Sequence, residues 1–198
     1  MTAHTPQSYK SKGRQFQQSV AAELRKITSL PEEDVVSRPM GSQGMDIMLS
    51  QKARQMIPFA IECKRAEHWE ISAWWRQTCA NAVIERMEPA LIIKENRCTP
   101  YVMIYARDFD YLLATDDTQN TTWHEITKRA AAWKIKRWIS EAEDAAGNGS
   151  SPKLTISRPG EYPVCIIQFD KFCQLLRHWA IWNAEQLAVL SDQQGGNI

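Results

Sequence analysis

Residues 59–67 read FAIECKRAE. Phe59, Ala60, Ile61 and Cys63 make a short apolar run of the kind that belongs inside a sheet, yet Glu62 and Lys64 sit within it. Side chains alternate along a strand, so the carboxylate and the ammonium leave from one face and Ile61 and Cys63 from the other. A buried charge without a partner is costly, so whatever this strand packs against must supply partners to the Glu62–Lys64 face. That demand constrains the fold more than any bulk property of the chain.

The segment just upstream, MDIMLS, alternates as well: Met45, Ile47 and Leu49 on one side, Asp46, Met48 and Ser50 on the other. If QKARQMIP joins the two strands as a hairpin symmetric about Arg54, Asp46 lies directly opposite Glu62, with Cβ atoms about 4.5–5.5 Å apart. Two carboxylates that close call for a cation, a shared proton or another register. A hard divalent cation suits them best: Mg²⁺ takes oxygen ligands and is commonly held by one or two carboxylates plus phosphate oxygens, with Mn²⁺ an acceptable substitute. The Cys63 carbonyl, between the two strand side chains, is a further candidate ligand. Lys64 is placed to orient an attacking water or to neutralise charge developing on phosphorus. The chemistry implied is metal-assisted hydrolysis of a phosphodiester. The competing reading is a solvated sheet face with an ordinary salt bridge, because a Glu-x-Lys triplet occurs about once by chance in a chain of this composition.

Around this pair the pattern is that of a mixed α/β domain with a central sheet. Phe16, Val20, Leu24 and Ile27 fall at helical spacing from Ser11 to Lys26. Val35 and Val36 begin a short extended piece, and PMGSQG at 39–44 is dense in turn formers. Residues 71–88 return to a helical period, and PALIIKE and YVMIYA read as buried strands. Further on, the pattern predicts a helix from Trp123 to Glu143 with a basic middle (Lys128, Arg129, Lys134, Lys136, Arg137) and a loop at GNGSSP, 147–152. Those basic residues read first as a solvated helix face and second as a track for a nucleic-acid backbone. YPVCIIQFDKFCQLLRHW predicts one more strand running into a C-terminal helix. It repeats the layout of PYVMIYARDFDYLL, a likeness too short to claim a duplication.

Composition excludes some classes. Five scattered cysteines without a CxxC pair, and four isolated histidines, argue against a disulfide framework and a zinc ribbon and for a reducing compartment. No apolar run approaches the roughly 18 residues that span a bilayer, and MTAHTPQSYKSKGRQ has no apolar signal core, so a cytoplasmic protein without a membrane partner is expected. A net charge of +1 leaves nucleic-acid binding to depend on a local concentration of basic residues. Eight tryptophans read mainly as packing, with stacking on unpaired bases the alternative.

Taken in order, KGRQFQQ, RPMGSQGMDIMLS, FAIECKRAE and WWRQTCANA resemble the PD-(D/E)XK nuclease superfamily, and within it the Holliday-junction-resolvase-like members of phages and archaea. The resemblance spans about residues 10–113. It implies a restriction-endonuclease-like core at 10–113, followed by a helical C-terminal extension with one added strand at 114–190 and a disordered tail at 191–198. By the same resemblance Asp46 and Glu62 hold the metal, Lys64 is the catalytic lysine, and Gln77 on the following helix contacts the site. Gln17 stands where many relatives carry a glutamate, which leaves open whether one or two metals bind. Glu23, over a turn beyond it, reads as a solvent-facing helix carboxylate. Ser42 and Gly44 resemble a small-residue turn that brings free backbone N–H groups close to a phosphate, and Lys12, Arg14 and Arg38 are the matching phosphate contacts. The function implied is a Mg²⁺-dependent, structure-selective endonuclease acting on branched or junction DNA as a homodimer, in a bacterial host cell if the chain is phage-encoded. The alternatives are a nicking or restriction-type nuclease of the same superfamily and a non-catalytic DNA-binding or assembly protein on the same fold.

Overall fold

A computed structural model describes residues 6–39, 41–116, 121–129 and 134–195. The first element is a long helix, α1 (Pro6–Thr28), which buries Phe16, Val20, Ala21 and Leu24 at helical spacing. A short antiparallel pair follows, β1 (Val35–Ser37) and β2 (Ile47–Leu49), and then a two-turn helix, α2 (Gln51–Met56). The remaining strands are β3 (Phe59–Arg65), β4 (Glu88–Lys94), β5 (Tyr101–Tyr105), β6 (Trp123–Arg129), β7 (Ser151–Ser157) and β8 (Val164–Gln168). They form one six-stranded sheet in the order β3-β4-β5-β8-β7-β6. The outer pairs β3–β4 and β6–β7 are parallel and the inner pairs antiparallel. Helices α3 (Ile71–Glu85) and α5 (Ile135–Ala146) cross over between the parallel strands, while α4 (Ala106–Ala114) and α6 (Phe169–Gly195) follow β5 and β8.

The sheet divides two apolar layers. On one face Ile61, Cys63, Ile92, Val102, Cys165 and Ile167 pack with α1, α4 and α6; on the other, Leu91, Met103, Leu154 and Ile166 pack with α3 and α5. This is the restriction-endonuclease-like layout of helix, mixed sheet and flanking helices. No helix among the described residues is long and apolar enough to cross a membrane.

Four expectations change. The hairpin about Arg54 is not formed: β2 pairs with β1, and QKARQM is α2, begun by Ser50, whose Oγ accepts from the Ala53 N–H (3.1 Å). A serine before a helical turn satisfies an orphan N–H, and here that local bond turns the connection into a helix. The single helix from Trp123 to Glu143 is instead the edge strand β6 followed by α5, with Trp133 outside the described residues. Trp123 and Ile126, three apart, mimic a helical stripe, but pairing with β7 over seven residues decides the conformation. That strand starts at Ser151, inside the stretch read as a loop, so the C-terminal third adds three strands rather than one. Finally, α6 continues through Gly195 where a tail was expected, and residues 196–198 lie outside the described set.

Candidate active site

The free edge of β3 is where the candidate residues meet. Even-numbered residues of β3 face α3 and odd-numbered ones face α1, so Glu62 and Lys64 point one way and Cys63 the other. Asp46, just before β2, docks on the edge itself. Its N–H donates to the Ile61 carbonyl (3.1 Å), and its Oδ2 accepts from the Cys63 N–H (2.7 Å). Asp46 therefore reaches Glu62 although the two strands form no hairpin.

Each sheet face sends one glutamine to this edge. From α1, Gln17 donates through Nε2 to Asp46 Oδ1 at 2.6 Å, and it is only 8% exposed. From α3, the exposed Gln77 accepts from Lys64 Nζ at 3.2 Å. The Lys64 ammonium also donates to Glu62 Oε1 at 2.7 Å. Glu62 is 3% exposed, and its second oxygen, Oε2, is buried with no hydrogen-bond partner among the described residues; Gln17 Oε1 is in the same position. Burial first, and then the Glu62 charge, push the Asp46 carboxyl up to about 6, against the lowering pull of the Cys63 N–H, Lys64 and Arg38.

The oxygen-rich donor set fits a small divalent cation. Two coupled carboxylates, one with an unsatisfied buried oxygen, form an anionic centre that a hard cation would relieve. Among the described residues no cluster of three or more His, Cys, Asp or Glu surrounds it, so further ligands would have to be carbonyls, waters or a phosphate. The Cys63 carbonyl is available. In a strand a residue's N–H and C=O point to the same side, and the Cys63 N–H points off the sheet towards Asp46. The Cys63 thiol itself points to the opposite face, into the apolar layer under α1, and its burial drives it well above its ordinary range.

A cavity of about 300 Å³ opens over this edge, lined by Gly13, Gln17, Arg38, Ser42, Asp46 and Lys64 among others. A larger one, about 790 Å³, lies between the first turns of α3 and α5 and includes neither carboxylate. The smaller cavity is the candidate site, because it brings Asp46 and Lys64 to one opening beside the Asp46–Gln17 bond. Of the expected phosphate contacts, Arg38 is tied into the loop, its Nε donating to the Met45 carbonyl and its N–H to the Asp46 carbonyl, both at 2.7 Å. Lys12 and Arg14 flank Gly13 at the mouth, Lys12 half-buried and Arg14 exposed. The Ser42 N–H donates to the Pro39 carbonyl (3.3 Å), so the expectation that it is free for a phosphate is corrected; its side chain remains exposed at the rim. Gly44 has φ +109°, and a Cβ there would come within 3.0 Å of the Arg38 guanidinium. Glu23 pairs with Lys26 (3.4 Å), away from the cavity lining.

Arg65 is the residue that the sequence reading missed. It lines the cavity, its guanidinium held by Asn96 Oδ1 (2.9 and 3.2 Å) and the Lys12 carbonyl (3.5 Å). Strand alternation assigns it to the face opposite Lys64, and only the position of β3 at the sheet edge brings both faces to one opening.

No curated protein and no solved structure matches the chain. Residues 8–132, a span that contains Gln17, Asp46, Glu62, Lys64 and Gln77, match a family model described as "Phage putative PDDEXK endonuclease". With well over half of its length matched and a restriction-endonuclease-like core around the paired carboxylates, the chain belongs to that family, a phage branch of the PD-(D/E)XK nucleases.

Proposed function

We propose that this nuclease is a Mg²⁺-dependent, structure-selective DNA endonuclease of the junction-resolvase-like kind, working in the cytoplasm of a bacterial host. The observation that carries the reading is the half-buried Asp46 beside the buried Glu62 with its unsatisfied oxygen, next to a lysine that two side chains hold in place. Asp46, Glu62 and the Cys63 carbonyl would hold the cation. Bound there, it supplies Lewis-acid polarisation of the scissile phosphate. Lys64 orients the attacking water through its ammonium and offers a hydrogen bond where negative charge accumulates on phosphorus. Gln77 and Glu62 fix that ammonium, and Gln17 fixes the Asp46 carboxyl from behind. Lys12, Arg14, Arg38, the Ser42 hydroxyl and Arg65 surround the opening as contacts to the DNA backbone, which position a duplex without reading its bases. Gly44 keeps the loop close enough for Arg38 to brace Asp46.

The test uses a labelled four-way junction and a matching linear duplex, each with Mg²⁺ or EDTA. Cleavage confined to the junction, dependent on Mg²⁺ and reduced about 10²–10⁴-fold in Lys64→Ala, is the expected outcome. Equal cutting of both substrates removes the junction preference and leaves the nuclease. Binding without cutting under Mg²⁺ or Mn²⁺ moves the assignment to a non-catalytic DNA-binding protein.

A further inference from the structure

The second half of the sheet repeats the first. Phe59–Arg65 and Trp123–Arg129 start 64 positions apart, as do α3 at Ile71 and α5 at Ile135. Glu88 and Ser151, Tyr101 and Val164, and Ala106 and Phe169, which open β4/β7, β5/β8 and α4/α6, are each 63 apart. Strand registers map onto one another: Phe59 faces Glu88 as Trp123 faces Ser151, and Leu91 faces Met103 as Leu154 faces Ile166. At the centre the β5–β8 pairing is its own mate, with Tyr101 opposite Gln168 and Tyr105 opposite Val164. The Ala106 N–H donates to the Pro163 carbonyl and the Phe169 N–H to the Pro100 carbonyl, both at 2.9 Å. Even the residues before α3 and α5 agree, Glu70 at φ −104°, ψ 52° and Lys134 at φ −102°, ψ 49°. The Phe59–Phe172 ring contact has its counterpart in Trp123–Phe109. A two-fold pseudo-axis therefore passes between β5 and β8, perpendicular to the sheet because α3 and α5 share one face.

The residues carry the repeat too. Lys64 corresponds to Lys128, Arg65 to Arg129, Trp74 to Trp138, Pro89 to Pro152, Phe109 to Phe172, and Leu112 and Leu113 to Leu175 and Leu176. Lys64 bonds Gln77 on α3, and Lys128 bonds the equivalent Glu141 on α5 at 2.5 Å. Among the described residues the Asp46–Glu62 pair is not repeated. Ile126 stands where the first half has Glu62, and among the described residues the element upstream of β6 is α4, with no counterpart of the β1–β2 pair that carries Asp46. Lys128 is five strand spacings, about 24 Å, from the β3 edge, too far to complement the first centre.

We infer that one chain is a built-in pseudo-dimer with one cutting half and one silent half, so that each chain makes a single cut in each DNA it engages. The pseudo-axis supplies within one chain the two-fold arrangement that the family resemblance implies for two chains. This rests on the nuclease reading above. It deepens that reading by assigning a nicking outcome to the same site.

The experiment uses a supercoiled plasmid with an extruded inverted repeat, in excess over the full-length protein. One cut relaxes the plasmid and lets the branch be reabsorbed, which leaves a nicked circle; two coordinated cuts leave a linear molecule. Nicked circles as the initial product, lost in Lys64→Ala, are expected, and linear product from the first turnovers overturns the inference. A calorimetric titration with Ca²⁺ supplies a readout apart from cleavage: Glu62→Gln is expected to abolish all site-specific uptake. Uptake that survives Glu62→Gln and disappears in Glu141→Gln would show that the second half is not silent. A wild type that neither cuts nor takes up cation sinks the nuclease reading and this inference together, whereas paired cutting sinks only the inference.

Discussion

Asp108, in the first turn of α4, carries a carboxyl that its surroundings penalise. Its Oδ2 is buried with no partner among the described residues, and Oδ1 lies 3.5 Å from Arg107 Nε. Burial, and after it the charge of Glu88, push the acid up to about 6, and the Arg107 guanidinium only partly opposes them. Because the folded-state value is raised above the ordinary 3.8, the folded protein binds the proton more tightly than the unfolded chain. The stability this provides is complete below about pH 4 and is lost as pH climbs through 6. Asp108→Asn, which keeps the shape and removes the charge, is expected to be more stable than wild type at pH 7 by about 1–2 kcal/mol and to show no advantage at pH 4. Urea midpoints of the two proteins across that range measure the difference, and a constant difference at both ends would refute the assignment.

At the scale of elements, the loop between β1 and β2 is a positioning device. Arg38 closes it through two bonds to the backbone of Met45 and Asp46, and its guanidinium lies against the bare α-carbon of Gly44. An alanine at 44 would meet both a φ of +109° and a contact at 3.0 Å. Gly44→Ala is therefore expected to cost about 1–3 kcal/mol in a urea titration and to weaken cleavage as well, since Arg38 and with it Asp46 must shift. A variant with wild-type stability and wild-type cleavage would show that the loop has slack which the geometry does not suggest.

On the scale of the whole molecule, the half that carries Glu62 and Lys64 packs as one body with its repeat. β8 completes the hydrogen bonding of β5, and α6 covers the same face of the sheet as α1, burying Phe172, Leu176 and Trp179. A chain ending at residue 113 would expose the β5 edge and a large part of one apolar layer. Such a truncation is expected to lack the cooperative unfolding transition of the full chain, as followed by circular dichroism in urea. A sharp two-state transition in the truncated chain would mean that residues 59–113 fold without their partner half.

The amino-acid sequence by itself determined that Glu62 and Lys64 share a strand face, that Phe16, Val20 and Leu24 line a helix, and that Asp46 precedes a second alternating segment. These follow from local period, which one stretch of chain expresses unaided. Only the tertiary structure decided which strand β2 pairs with, because strand pairing is a non-local contact and a capping serine was enough to replace a hairpin turn with α2. The same holds for β6, whose Trp123 and Ile126 mimic a helix until β7 pairs with them. Gln17, 29 residues from Asp46, and Arg65, on the wrong face by alternation, enter the site because β3 lies at an edge that both faces can reach. The repeat was visible in the sequence only as PYVMIYARDFDYLL and YPVCIIQFDKFCQLL, since packing preserves apolar size and register far more strictly than surface identity.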